Sequence, residues 1–111
     1  MNDLVERLAA GTHPVTVGGP NPSLDELKNR LEDLGYVFIK FTTTRGGTDL
    51  GVRVDRVATD LSQADFGQGT GVAHIEGNLI LNYVKVRCVA DIDLSTLDGT
   101  GKLVIQEEVT P

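Results

Sequence analysis

The spacing of the apolar residues changes at Gly35, and this change constrains the fold more than any other feature of the chain. Before that glycine, leucines recur at the spacing of one helical face: Leu24, Leu27, Leu31 and Leu34. After it, apolar and polar residues alternate over much of the chain, as they do in strands with one buried face. The sequence therefore predicts an α+β protein in which an amphipathic helix packs on an antiparallel sheet.

Local signals mark both ends of this helix, which we predict over residues 24–34. Ser23 and Glu26 have the spacing of a capping box, in which each side chain satisfies a backbone N–H of the other residue. Gly35 follows the last leucine, at the position where helices often end in a left-handed residue. The leucine face is therefore expected to point into the core.

The segment before this helix is rich in glycine and proline. A short helix is predicted within the first ten residues, because Leu4, Val5 and Leu8 lie on one side of it. Residues 11–23 predict an extended arm, in which residues 14–17 add a short edge strand because proline is tolerated there. We therefore predict an N-terminal helix and arm over residues 1–22 and a single α+β domain over residues 23–111.

The rest of the domain is predicted to be an antiparallel meander of about five strands. Tight turns are expected at residues 45–48, at Gly77–Asn78 and at residues 96–102, where glycine permits left-handed backbone. Residues 58–71 form a polar connection between strands. Either the helix covers one face of an open sheet, or the sheet curls into a partial barrel.

Three glycines alternate in DFGQGTG, residues 65–71. Phosphate-binding loops need a different spacing, and a dinucleotide loop must open a helix, whereas a strand-like run follows here. We interpret the glycines as a bend at the start of a long hairpin, with Phe66 against the core.

The charge balance limits the partners that the chain is expected to bind. Its 111 residues carry 16 acidic and 10 basic side chains, a net charge of −6. Nucleic acid and anionic membranes are therefore disfavoured, since both attract clustered lysine and arginine. No stretch approaches the roughly 20 apolar residues of a membrane span, and we predict a cytoplasmic protein. Cys88 lies in an alternating apolar run, which predicts a buried, inert thiol.

The candidate catalytic residues are His74, Asp91 and Tyr83. His74 lies within a predicted strand, and an acid such as Asp91 on a neighbouring strand would give an acid–base pair. That pairing depends on a strand register that the sequence does not supply. A structural or surface histidine is the competing interpretation, and we prefer it.

No metal or cofactor is predicted. Asp91, Asp93 and Ser95 resemble the opening of a calcium loop, but the sixth and twelfth positions hold Thr96 and Lys102 where glycine and glutamate are required. Two histidines without nearby ligands at suitable spacing do not predict a zinc site.

The outward face of the predicted sheet carries more apolar residues than a solvated face requires: Tyr36, Phe38, Leu79, Leu81 and Tyr83. We therefore predict a non-catalytic binding or accessory protein that uses this face to associate with itself or with a larger protein.

Two alternatives stay open. One is a small barrel or cone enzyme of isomerase or cyclase type, with Tyr36, Tyr83, His74 and Asp91 around an apolar small molecule. The other is a carrier of a lipid or small molecule in the same cavity.

Overall fold

The computed structural model describes residues 3–109 and confirms the α+β class. Its helices are α1 (Asp3–Ala9) and α2 (Leu24–Asn29), and α2 continues directly into a π-helical turn at Arg30–Leu34. The strands are β1 (His13–Val17), β2 (Tyr36–Phe41), β3 (Thr48–Val54), β4 (Ala64–Asp65), β5 (Thr70–Leu81), β6 (Val84–Asp93) and β7 (Asp98–Glu108). Met1 and Asn2, which the predicted first helix includes, lie outside the described residues.

The strands form one antiparallel sheet in the order β3-β2-β1-β7-β6-β5-β4, and an additional pairing joins β3 to β5. That pairing links Arg53 to Asn78 and Val54 to Gly77, so the sheet curls until it closes as a ring of strands. Of the two alternatives that the sequence left open, the curled sheet is the one present. Among the described residues the sheet has seven strands rather than about five, because β1 and the short β4 add to the meander.

The glycine- and proline-rich segment contributes a strand from the interior of the sheet. β1 pairs with β2 on one side and with β7 on the other, so the predicted edge position is wrong. Val15 and Val17 are buried in the core, and this burial outweighs the preference of Pro14 for an edge. The boundary between residues 1–22 and 23–111 stays a prediction.

The interior of the ring is filled by the alternate apolar residues of its strands, and the helices add side chains to the same core. The largest fully buried side chains are Phe41, Leu8, Leu27, Ile39, Ile75, Ile92 and Leu103. Cys88 is also fully buried, and burial raises the pKa of its thiol to about 12. The prediction of a buried thiol is confirmed.

Helix α2 begins with the predicted serine N-cap and the helical segment ends at the predicted left-handed Gly35, but its last turn is π-helical. The Ser23 hydroxyl accepts a hydrogen bond from the Glu26 backbone N–H, while the Glu26 carboxylate pairs with Arg30 at 2.8 Å. The π turn closes with a bond from the Gly35 N–H to the Arg30 carbonyl, and Gly35 is left-handed. This wider turn changes the phase of the last leucine, and Leu34 is 57% exposed.

The long hairpin turns at a different place from the predicted Gly77–Asn78. Both of those residues lie inside β5, and the turn is formed by Asn82 and Tyr83, with φ of 49° and 65°. Leu81 is the cross-strand partner of Val84, so both side chains point toward the core. The side chains at this end of β5 therefore face the opposite way to the prediction.

No helix within residues 3–109 is long and apolar enough to cross a membrane.

Candidate functional site

An aromatic pair occupies the outer face of β2. The rings of Tyr36 and Phe38 meet edge to face, with centroids 5.3 Å apart, and the Arg30 guanidinium lies 4.8 Å from the Phe38 centroid. A Cβ at Gly51 on β3 would collide with the Tyr36 side chain, so this glycine leaves the space in which the ring lies. Tyr36 nevertheless stays 43% exposed. The pair is therefore a preorganised apolar surface.

The two leucines predicted for this outward surface are elsewhere. Leu79 and Leu81 are partly buried and pack against the core, because the hairpin turns at Asn82–Tyr83. Ile80 points outward in their place and is 62% exposed, and Tyr83 at the turn is 61% exposed. The outward apolar residues at this end of β5 are therefore Ile80 and Tyr83.

A row of side chains links the aromatic pair on β2 to the exposed end of β5, across the closure of the ring. In the strand register, Tyr36 lies opposite Arg53, Arg53 opposite Asn78, and Asn78 opposite Arg87. Arg53 is exposed and makes no ion pair among residues 3–109. Exposed tyrosine next to arginine is the composition that dominates binding energy at protein interfaces.

The row crosses a notch where β3 and β5 separate. These strands are paired only at the two positions that close the ring, while Thr48–Val52 and Leu79–Leu81 have no register with each other in the described chain. The notch has a volume of about 320 Å³. It is lined by Arg53, Asn78, Leu79, Ile80 and Lys85.

A charged network lies on the other side of the closure, along the outer face of β5 and β6. His74 Nδ1 is 2.8 Å from an Asp91 carboxylate oxygen, and His74 Nε2 is 2.7 Å from a Glu76 carboxylate oxygen. His74 and Asp91 are direct cross-strand partners. The structure thus brings together two of the three predicted catalytic candidates.

Arg87 extends this network to the end of β3. Its guanidinium donates to Glu76 at 3.0 Å, to Asp55 at 2.7 Å and to the side-chain carbonyl of Asn78 at 3.3 Å. We call Asp91, His74, Glu76, Arg87 and Asp55 the seam network. Asp55 directly follows β3, so the network joins β3 to β5 and β6 by side chains.

The seam network shifts the pKa values of its members in the directions that ion pairing requires. Hydrogen bonds to Glu76 and then Asp91 raise the pKa of His74, and the bond from His74 is the main cause that lowers the pKa of Glu76. The bond from Arg87 lowers the pKa of Asp55. A doubly protonated His74 can donate to both carboxylates, whereas the neutral ring can donate to one of them.

Backbone hydrogen bonds hold the chain after β3 against β5. The Asp55 N–H donates to the Glu76 carbonyl, and Asp60 and His74 exchange both of their backbone bonds. The Thr59 hydroxyl donates to the Glu76 carbonyl and accepts from the Glu76 N–H. The seam network therefore lies over a second, irregular stretch of pairing that extends the closure beyond β3.

This arrangement does not assemble the predicted catalytic set. Both ring nitrogens of His74 are occupied by carboxylates, and Tyr83 is at the tip of the hairpin, while His74 lies toward the opposite end of β5. Within residues 3–109 no group of three or more histidine, cysteine or acidic side chains is placed to hold a metal ion. A catalytic role for His74, Asp91 and Tyr83 stays a prediction.

A larger depression lies elsewhere on the surface, between β1 and β7. Its volume is about 590 Å³, and its walls include His13, Thr16, Thr42 and Thr100. None of the predicted catalytic or binding residues lines it. We therefore attach no chemistry to it, although it is larger than the notch.

The sequence did not identify Arg53, Glu76, Arg87 or Asp55 as parts of a site. Each of these residues alternates with apolar neighbours, which is the signal of an outward position, but many surface residues share that signal. Only the register between β3, β5 and β6 distinguishes them, because it brings residues far apart in sequence into contact.

Comparison with protein families gives a match that covers most of the chain. Residues 24–110 match the family described as core binding factor beta subunit. This range runs from the start of α2 through β7, so it includes the aromatic pair, the notch and the seam network. No curated protein matches the chain.

Proposed function

Because the chain belongs to the core binding factor beta subunit family, we propose that it binds a larger partner protein through the outer face beside the ring closure. We call this surface the docking face. It consists of Tyr36, Phe38, Arg53, Asn78, Ile80 and Tyr83. The family description names one subunit of a binding factor, and a non-catalytic accessory role fits that description.

The observation that supports the proposal is the exposure of large apolar side chains around the notch, on the side of the closure away from the seam network. Tyr83 and Ile80 are each more than 60% exposed, and Tyr36 is 43% exposed. Full burial of an exposed large apolar side chain is favourable by about 1.5–3 kcal/mol, from which the costs of association are subtracted. Tyrosine and arginine are also enriched among residues that dominate interface energies.

The backbone of the hairpin provides a second observation in support. Asn82 and Tyr83 are consecutive left-handed residues, and for a bulky side chain such as tyrosine this conformation is rare. Strained residues of this kind concentrate at functional sites, where the fold fixes the position of a side chain. The turn presents the Tyr83 ring at the tip of two long strands.

Site-specific photo-cross-linking in cells of the source organism tests the proposal. A photoreactive amino acid at Tyr83, or at Phe38, is expected to capture the same discrete protein. Val57 is the matched control, because it is 97% exposed and is not part of the docking face. Capture at Val57 with equal yield, or capture at neither docking position, contradicts the proposal.

Self-association through the same face is the alternative occupant. In that case the cross-linked product at Tyr83 is a dimer of this chain. Light scattering of the purified protein separates the two occupants, since a strict monomer at high concentration is expected for a subunit whose partner is a different protein.

A further inference from the structure

We propose that the notch between β3 and β5 binds an extended, acidic segment of the partner, with a carboxylate on Arg53 and an apolar side chain over Ile80. This inference rests on the proposed function and specifies the chemistry of the partner. It is drawn from the charge, the lining and the unpaired edges of the notch.

The charge of the notch is opposite to that of the whole chain. Arg53 and Lys85 both line it, although the net charge of the protein is −6. Arg53 makes no ion pair with any residue in the range 3–109. Lys85 has one weak partner, Glu107, at 3.8 Å, and both side chains are about half exposed or more. Both cations are thus available to an incoming carboxylate.

The other cations near the closure are already occupied. Arg87 is bonded to Asp55 and Glu76, and Arg56 donates to the carbonyls at the end of the helical segment, including Glu32 at 2.9 Å. The protein therefore satisfies these guanidinium groups internally and leaves Arg53 for an external partner.

The lining of the notch specifies more than a charge. Leu79 and Ile80 give it an apolar side, and Asn78 adds an amide next to Arg53. Such a surface fits an apolar side chain beside a carboxylate. A purely acidic ligand would leave the Leu79–Ile80 side without contacts, which is the reason that we specify a mixed segment.

The backbone of the notch favours an extended conformation for that segment. From Thr48 to Val52, β3 pairs with β2 alone, and from Leu79 to Leu81, β5 pairs with β6 alone, within the described residues. Each strand thus presents an unpaired edge toward the notch. An extended peptide can add to such an edge through main-chain hydrogen bonds, while side-chain contacts give specificity.

Fluorescence anisotropy with two labelled synthetic peptides tests the proposal. One peptide alternates glutamate with leucine and valine, and the other has lysine in place of every glutamate. At a salt concentration of about 0.15 M, where the Debye length is roughly 8 Å, the acidic peptide is expected to bind at least about fivefold more tightly. The net charge of the protein alone would favour the basic peptide.

Two substitutions locate the effect. Arg53→Glu is expected to abolish the preference for the acidic peptide, and Arg53→Lys to keep most of it. Lys102→Glu is the control of equal charge change, since Lys102 is exposed on β7 away from the notch, and it is expected to change the affinity less than about twofold. Equal binding of the two peptides, no binding of either, or an unchanged preference in Arg53→Glu overturns the proposal.

The cross-linking experiment separates this proposal from the proposed function. If Tyr83 captures the partner equally well in the natural chain and in Arg53→Glu, docking at this face stands and the acidic segment is wrong. If Tyr83 captures nothing, the proposed function is wrong whatever the peptides do.

Discussion

The two halves of the ring are held together in different ways. The β5–β6 and β6–β7 ladders each run for ten registered pairs, whereas β3 and β5 share two. At this closure the seam network and the bonds of residues 55–60 supplement the short ladder. Long regular ladders thus secure one side of the molecule, whereas the closure combines a short ladder, irregular backbone bonds and side-chain charges. This less regular closure is also the one that borders the notch.

Among the substitutions that test the closure, Gly77→Ala is expected to lower the stability of the protein most. A Cβ at Gly77 would collide with the Arg53 carbonyl across the closure and with the Val52 side chain. Because backbone must move to relieve this overlap, we expect the free energy of unfolding to fall by about 1–3 kcal/mol in urea titrations. Gly67→Ala is the control, since its Cβ would meet only the Asp65 carboxylate at 3.4 Å. Equal stability of the two variants would mean that the closure is not tight.

Arg87→Met is expected to weaken the closure by a smaller amount. The substitution keeps an apolar stem but leaves Glu76 and Asp55 without their shared cation. We expect a loss of about 1 kcal/mol in the free energy of unfolding, reduced by solvent because the side chains are partly exposed. Lys85→Met, on the same strand, removes only the 3.8 Å pair and is expected to change little. A reversed order of these two variants would contradict the role given to the network.

The seam network also predicts how stability depends on pH. The raised pKa of His74 means that its contribution is complete below its ordinary pKa of 6.5 and is lost as the pH rises through the raised value. The lowered pKa values of Glu76 and Asp55 act at the other end, where their contributions are lost as the pH falls through those values. The network therefore contributes most to stability at pH values between the lowered pKa values of these carboxylates and the raised pKa of His74.

Urea unfolding of the natural chain and of His74→Gln at several pH values measures this dependence. The stability advantage of the natural chain is expected to shrink as the pH rises from about 6 to about 9. An advantage that grows over this range would show that His74 is not held as a cation between Glu76 and Asp91.

The smallest effect of weakening the closure is expected on the reactivity of the Cys88 thiol. Its thiol is fully buried on the well-paired side, and its pKa of about 12 leaves little thiolate. In Arg87→Met, backbone amide exchange at Thr59 and Asp60 is therefore expected to increase more than the rate of Cys88 alkylation. Parallel increases in both rates would mean that the closure opens only when the whole protein unfolds.

The helices and most strands follow from local patterns, whereas the turn of the long hairpin does not. The capping serine, the leucine spacing and the alternation after Gly35 each act within a few residues. Gly77–Asn78 has typical turn chemistry, but Gly77 is used for close approach of strands, and the turn is formed by Asn82 and Tyr83. The preference of glycine for turns was thus outweighed by packing at the closure.

Because the hairpin turns at Asn82 and Tyr83, the outward apolar surface differs from the predicted one. Moving the turn places Leu79 and Leu81 toward the core and Ile80 outward. Tyr36 and Phe38 lie on the predicted face because their strand was assigned correctly. Arg53 joins them only through the β3–β5 register, which depends on the curvature of the entire sheet and has no local signal in the sequence.

Hydroxyl-radical footprinting of the chain, alone and with its partner protein bound, tests the docking face most directly. Tyr36, Ile80 and Tyr83 are expected to lose reactivity in the complex, because a partner on this face covers their exposed side chains. Val57 and Val72, which are 97% and 41% exposed, are expected to keep theirs. Protection of Val57 or Val72 with Tyr83 and Ile80 unchanged would contradict the account.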